Sequence, residues 1–136
     1  MRYNGVIQRK LALLDKQVRQ LKKSLDKISF SNFAGSWEKR SMTERALQVS
    51  VEIIIDVAER IIAIEGAGPV ATAAEAIETL VNLDILKSPQ PYVDMVRFRN
   101  LIVHQYEEID PAILFELATK RLDDFRNFRN EIDLLS

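Results

Sequence analysis

The sequence predicts an all-α fold, an up-and-down bundle of four to five helices, on three observations. Apolar residues recur at alternating steps of three and four through most of the chain, the spacing that lines one face of a helix. The interruptions are helix punctuation: Ser-x-x-Glu at 41–44, Gly-Ala-Gly-Pro at 66–69, Ser88-Pro89 and Asp110-Pro111. No stretch stands out as a strand.

Ile7, Leu11, Leu14, Val18, Leu21, Leu25 and Ile28 form a heptad-like seam and predict a long first helix. Its other faces carry Arg2, Arg9, Lys10, Lys16, Arg19, Lys22, Lys23 and Lys27 against only Asp15 and Asp26. Such a basic face is first a solvated surface and second a candidate RNA-binding face. Residues 29–40 (SFSNFAGSWEKR) break the period and predict a loop, with Phe30, Phe33 and Trp37 folded back as a lid over the core.

Ser41-Met42-Thr43-Glu44 has the spacing of a capping box and predicts the start of a second helix. It runs through Leu47, Val51, Ile54, Ile55, Ala58, Ile61 and Ile62 to Gly66, where glycine permits a left-handed cap. The stretch 49–64 is rich in β-branched residues, but its length, its cap and the charges at Glu52, Asp56, Glu59 and Arg60 decide for helix. Asp56 reads first as a point on the polar face and second as a supporting residue of a site.

Pro69 opens a third, shorter helix through ATAAEAIETLVNL, and Ser88-Pro89 opens a fourth that carries Tyr92, Met95, Val96, Arg99, Leu101, Ile102 and Val103. Asp110-Pro111 starts the last, with Leu114, Leu117 or Ala118, Leu122, Phe125, Phe128 or Arg129, and Ile132 on its face. With no repeat, low-complexity tract or boundary signal, residues 1–136 are expected to form one helical domain.

Composition narrows the function classes. A chain of 136 residues can bury an ordinary core. It has no cysteine, which removes disulfides, thiol nucleophiles and thiolate metal sites together. Nineteen basic against twenty acidic residues leave a net charge of −1, so any contact with nucleic acid is a local patch and not a global field. The N-terminus lacks the uninterrupted apolar region of a secretory signal, and no run reaches the roughly 18 apolar residues of a membrane span. A cytoplasmic protein without membrane contact is expected.

The chemistry concentrates in RNLIVHQY, residues 99–106, which places the only histidine, His104, between Arg99 and Tyr106. At about 100° per residue, Arg99 and Tyr106 share one stripe and Asn100 and His104 another, with Arg99 and His104 about 140° apart. One regular helix therefore does not aim both at one small target; a bend near His104 or a second subunit would. Taken singly, each residue has a plainer role: a hydrogen-bonded core histidine, an arginine paired with Asp56 or Glu52, a tyrosine packing at a helix end. Together they suit phosphodiester chemistry. Arginine can hold a phosphate bidentately, and histidine can take a proton from a hydroxyl at neutral pH. With RNA that hydroxyl is its own 2′-OH. A lone histidine without cysteine makes a transition-metal site unexpected.

With its Arg-x4-His core and the asparagine directly after the arginine, RNLIVHQY resembles the signature of HEPN-domain proteins of the HepT type. These are toxins of a two-component toxin–antitoxin system whose partner is a minimal nucleotidyltransferase. The resemblance spans nearly the whole chain, including ERALQVSVEIIIDVAERII, which is similar to the family's second helix. It implies a HEPN bundle that forms a homodimer, with the two motif helices lining a shared cleft. It also implies a metal-independent endoribonuclease without cofactor, in which Arg99 and His104 are the catalytic pair and Asn100 supports them. Finally, it implies that the antitoxin adds AMP from ATP to Tyr106, setting a charged, bulky group beside the cleft. A reading of another class is a non-catalytic subunit that binds nucleotide or partner for a nucleotidyltransferase complex. A phosphoacceptor role for His104 fits less well, because His104 lies close to a helix end.

Overall fold

A computed structural model of the chain describes residue 3 and residues 5–104 and 108–134. Among them are seven α-helices and no strand. The expected all-α class holds, while the helix count exceeds the four to five predicted.

Helix α1 (Val6–Ser24) buries Ile7, Leu11, Leu14, Val18 and Leu21, the seam expected from spacing. The helix stops at Ser24, short of the Ile28 that the spacing reached: Leu25 is buried just past its end and Ile28 is half-buried beyond the turn. The seam packs along α3 (Trp37–Glu65), the longest helix, which touches α1, α4, α5 and α6. Ala58 is fully buried within α3, where its small side chain lets a neighbour approach. Gly66 ends α3 in the left-handed region, at φ 65° and ψ 30°, as its lack of a Cβ allows.

The segment expected to be a loop is largely helical. Helix α2 (Phe30–Ala34) is capped by Ser29, whose hydroxyl accepts from the Asn32 N–H at 3.1 Å. Phe33 is fully buried, with its ring 5.4 Å from Phe115, while Phe30 meets the same ring edge-on and stays half exposed. Trp37 is no lid: it is 67% exposed in the first turn of α3. Nor does Ser41 start that helix. Ser36 does, accepting from the Lys39 N–H at 3.1 Å, and the backbone bond from Arg40 N–H to the Ser36 carbonyl begins a helix that runs on through Ser41. Once Ser36 satisfies the first-turn donors, the Ser-x-x-Glu spacing five residues later falls in the helix interior.

Pro69 likewise precedes a helix that it does not open. Helix α4 (Ala73–Asn82) starts from Thr72, whose hydroxyl accepts from Glu75 N–H, while the Glu75 carboxylate reaches back to Ala71 N–H at 2.7 Å. This reciprocal pair is written in the sequence as Thr-x-x-Glu. Ser88 and Pro89 make a turn, with the Ser88 hydroxyl accepting from Gln90 N–H, and α5 (Tyr92–His104) begins after Pro91. Asp110 caps α6 (Pro111–Lys120) through Ala112 N–H at 2.9 Å with proline in its first turn, as predicted. The expected single last helix is two, because the backbone turns at Arg121 (φ −117°) before α7 (Leu122–Leu134). No glycine or proline marks that break.

Helices α5 and α7 meet through Tyr92 and Phe128, whose rings are 5.4 Å apart and nearly perpendicular. The Tyr92 hydroxyl donates to Glu131, which also accepts from Lys87 N–H at 3.0 Å. Burial, then the bond to Glu131 and its charge, hold the phenol far above its ordinary titration range. This contact anchors the first half of α5, the helix that ends in the motif. Among the described residues no helix is long and apolar enough to cross a membrane.

Candidate active site

Helix α5 changes character along its length. Tyr92, Val93, Met95 and Val96 are buried, whereas Asn100 and His104 are exposed and Leu101 and Val103 are 43% and 46% exposed. Val103 lies seven residues after the buried Val96, within about 20° of its stripe, so the same side of the helix passes from core to surface. The last turns of α5 thus open one side to solvent, while Ile102 still packs against the core. They present Asn100 and His104 between two exposed aliphatic side chains.

Arg99 points elsewhere. It is half-buried and lines a cavity of about 340 Å³ between α3, α5 and residues 70–73, facing Glu52, Asp56 and Glu59. Its Nε is buried without a hydrogen-bond partner, and among the described residues Arg99 makes no ion pair.

Asp56, expected as a supporting partner of Arg99, is committed differently. Its carboxylate pairs with Lys10 Nζ at 2.6 Å and Arg60 Nε at 3.2 Å. Burial raises its pKa, but the bonds and charges of Lys10 and Arg60 outweigh that and hold it below the ordinary carboxylate range. Lys10 is the residue that sequence reasoning missed here, since no local signal links α1 to the middle of α3. The lowered pKa sets a sign. Asp56 adds stability above the unfolded-state value of about 3.9, and that contribution is lost as pH falls through the lower folded value. Asp56→Asn should therefore be less stable than wild type near pH 7, with the gap narrowing toward pH 3 in urea unfolding; a gap that stays constant across that range would contradict the ion pair's role.

Helix α5 runs through His104, so Asn100 and His104 share a stripe and Arg99 lies on another, as expected of the described part of RNLIVHQY. Arg99 is brought together with the acidic residues of α3, and His104 and Asn100 are not part of that cavity. Tyr106, the expected modification site, lies outside the described residues.

Residues 14–132 match the family model described as Ribonuclease HepT-like. The chain belongs to that family. A relative from Aphanizomenon flos-aquae (strain 2012/KM1/D3), described as tRNA nuclease HepT, is 28% identical over 130 residues, covering 94% of this chain and 88% of the relative. Among solved structures, the tri-AMPylated Shewanella oneidensis HEPN toxin in complex with its MNT antitoxin superposes with a TM-score of 0.89. It is 22% identical, over 97% of this HepT-like chain and 99% of the toxin. The cytosolic protein YutE of Bacillus subtilis, of unknown function, gives a TM-score of 0.80 at 16% identity, over 95% and 87% of the two chains. At these identities the two structures speak for the shared fold.

Proposed function

We propose that this chain is the toxin endoribonuclease of a HEPN/MNT toxin–antitoxin system, acting on RNA in the cytoplasm without a metal ion. The observation that carries the proposal is the complete Arg-Asn-x3-His motif on the last turns of α5, with an exposed His104 and an Arg99 Nε that has no hydrogen-bond partner, in a HepT-like chain. His104 takes the proton of the RNA 2′-hydroxyl, and the freed oxygen attacks the adjacent phosphorus. The bond to the 5′-oxygen breaks, that oxygen leaves with a proton from solvent, and a 2′,3′-cyclic phosphate remains. Arg99 holds the phosphate and offsets the charge that builds on it, and Asn100 supports the pair.

Because Arg99 and His104 face apart within one chain, the working site is the cleft of a homodimer. The exposed Leu101 and Val103 support this, since they offer apolar surface beside His104 where two α5 helices would meet. Regulation follows the same geometry: the nucleotidyltransferase antitoxin adds AMP to Tyr106 and blocks entry to the cleft. The relative described as a tRNA nuclease supports tRNA as the first substrate to try.

The test is incubation of purified protein with tRNA in excess EDTA. Cleavage with 2′,3′-cyclic phosphate and 5′-hydroxyl ends is expected. Cleavage only when a divalent ion is supplied would overturn metal independence. Absence of cleavage, with nucleotide binding that Arg99→Ala abolishes, would assign the motif to a non-catalytic binding subunit instead.

A further inference from the structure

The second half of α1 and the first half of α3 enclose a groove of about 530 Å³. Its floor is aliphatic, made by Leu21, Met42, Ala46 and Val49. Its rim carries the amides of Gln17 and Gln20 and the cations of Lys23 and Arg45, and no acidic residue lines it. In a chain with more acidic than basic residues, that local bias needs a reason.

The surroundings deepen the bias. From Lys16 to Ser24 every charged residue of α1 is a cation, namely Lys16, Arg19, Lys22 and Lys23, all exposed and without an ion pair among the described residues. The first half of the helix differs: there Lys10 is held by Asp56, and Asp15 is held by Arg129 at 2.8 Å. The basic face of α1 is therefore not one uniform surface. Lys10 is spent on holding the bundle together, whereas Lys16, Arg19, Lys22 and Lys23 are left unpaired among the described residues, with Lys23 on the rim of the groove.

The groove also lies at the right end of the molecule. Lys39 Nζ donates to the Ser24 carbonyl at 3.1 Å, and the next residue, Arg40, pairs with Glu108 at 3.6 Å. Successive residues of α3 thus join the end of α1 to the segment just beyond the motif. Glu108 follows His104 by four residues, at most about 14 Å of chain.

We propose that the α1–α3 groove is a subsite for single-stranded RNA, holding a nucleotide of the strand whose scissile bond lies at His104. The aliphatic floor takes the face of a base, the Gln17 and Gln20 amides take base edges, and Lys23 and Arg45 take flanking phosphates. The inference rests on the nuclease reading for the position of the scissile bond, but RNA binding by the groove can be measured without cleavage.

The parent for the binding test is the full chain carrying His104→Ala, titrated against a fluorescein-labelled single-stranded RNA of about 12 nucleotides. Adding Lys23→Ala and Arg45→Ala should raise Kd at least about tenfold and flatten the log–log salt dependence by about 1.4, the loss of two phosphate contacts on a single strand. Gln20→Ala should weaken binding without changing the slope. These side chains are exposed, so thermal melting should be unchanged, and with His104 intact the double variant should show a raised KM at a kcat within about twofold.

Unchanged Kd and slope, or no RNA binding by the parent, would overturn the groove. Unchanged RNA affinity with weaker association to the nucleotidyltransferase antitoxin would give the groove to a protein partner. Groove-dependent binding without any cleavage by the intact chain would overturn the nuclease reading and leave the groove as an RNA site.

Discussion

His104→Ala is expected to cut RNA cleavage by about 10²–10⁴-fold, the usual contribution of a positioned acid–base group, with the unfolding midpoint unchanged. The separation of the two readouts follows from where the residue sits. His104 is exposed in the last turn of α5, beyond the buried Tyr92, Val93, Met95 and Val96 that pin the helix to the bundle. Truncating an exposed side chain away from core and caps usually changes stability by no more than about 0.5 kcal/mol. Lost activity in a normally folded variant is therefore chemical and not structural. Gel assays of tRNA cleavage beside urea denaturation measure both, and cleavage at the wild-type rate would remove His104 from the mechanism. Arg99→Lys adds a second check: it keeps the charge but loses the planar fork that grips a phosphate with two bonds, so its activity should also fall.

Phe128→Ala is expected to lower stability by about 3–5 kcal/mol, a large part of the roughly 5–15 kcal/mol of a typical domain. Phe128 is fully buried and packs edge-to-face on Tyr92, itself 2% exposed and bonded to Glu131. Removing the ring opens a cavity and takes away the surface against which α5 is oriented. Phe128→Leu should cost much less, because it keeps most of the volume. Chemical unfolding of the two variants gives the comparison. A loss below about 1 kcal/mol for the alanine variant would mean that α7 re-packs freely and that α5 is held by other contacts.

The parts of the fold that were legible in the sequence are those set by local chemistry. The α1 seam, the glycine stop of α3 and the Asp110-Pro111 start of α6 were all predicted and are all present. The parts that were not legible involve a choice between local signals. Ser36 and Ser41 are both fair caps, and the helix starts at Ser36, where the Arg40 guanidinium also reaches back to the Ala34 carbonyl. Thr72 prevails over Pro69 because Glu75 completes its reciprocal cap. Helix α2 shows the same limit: its serines and glycine read as loop, but burying Phe33 against Phe115 makes a helical turn of it.

For the site, the sequence by itself determined the all-helical class, the residue types and their angular separation on α5, because helix periodicity depends only on chain geometry. Only the tertiary structure decided what each residue faces. It turned Arg99 toward Glu52, Asp56 and Glu59, gave Asp56 to Lys10, left His104 in the open, and left the cations from Lys16 to Lys23 unpaired among the described residues. Those outcomes depend on contacts between residues far apart in the chain, and periodicity within one helix carries no information about its neighbours.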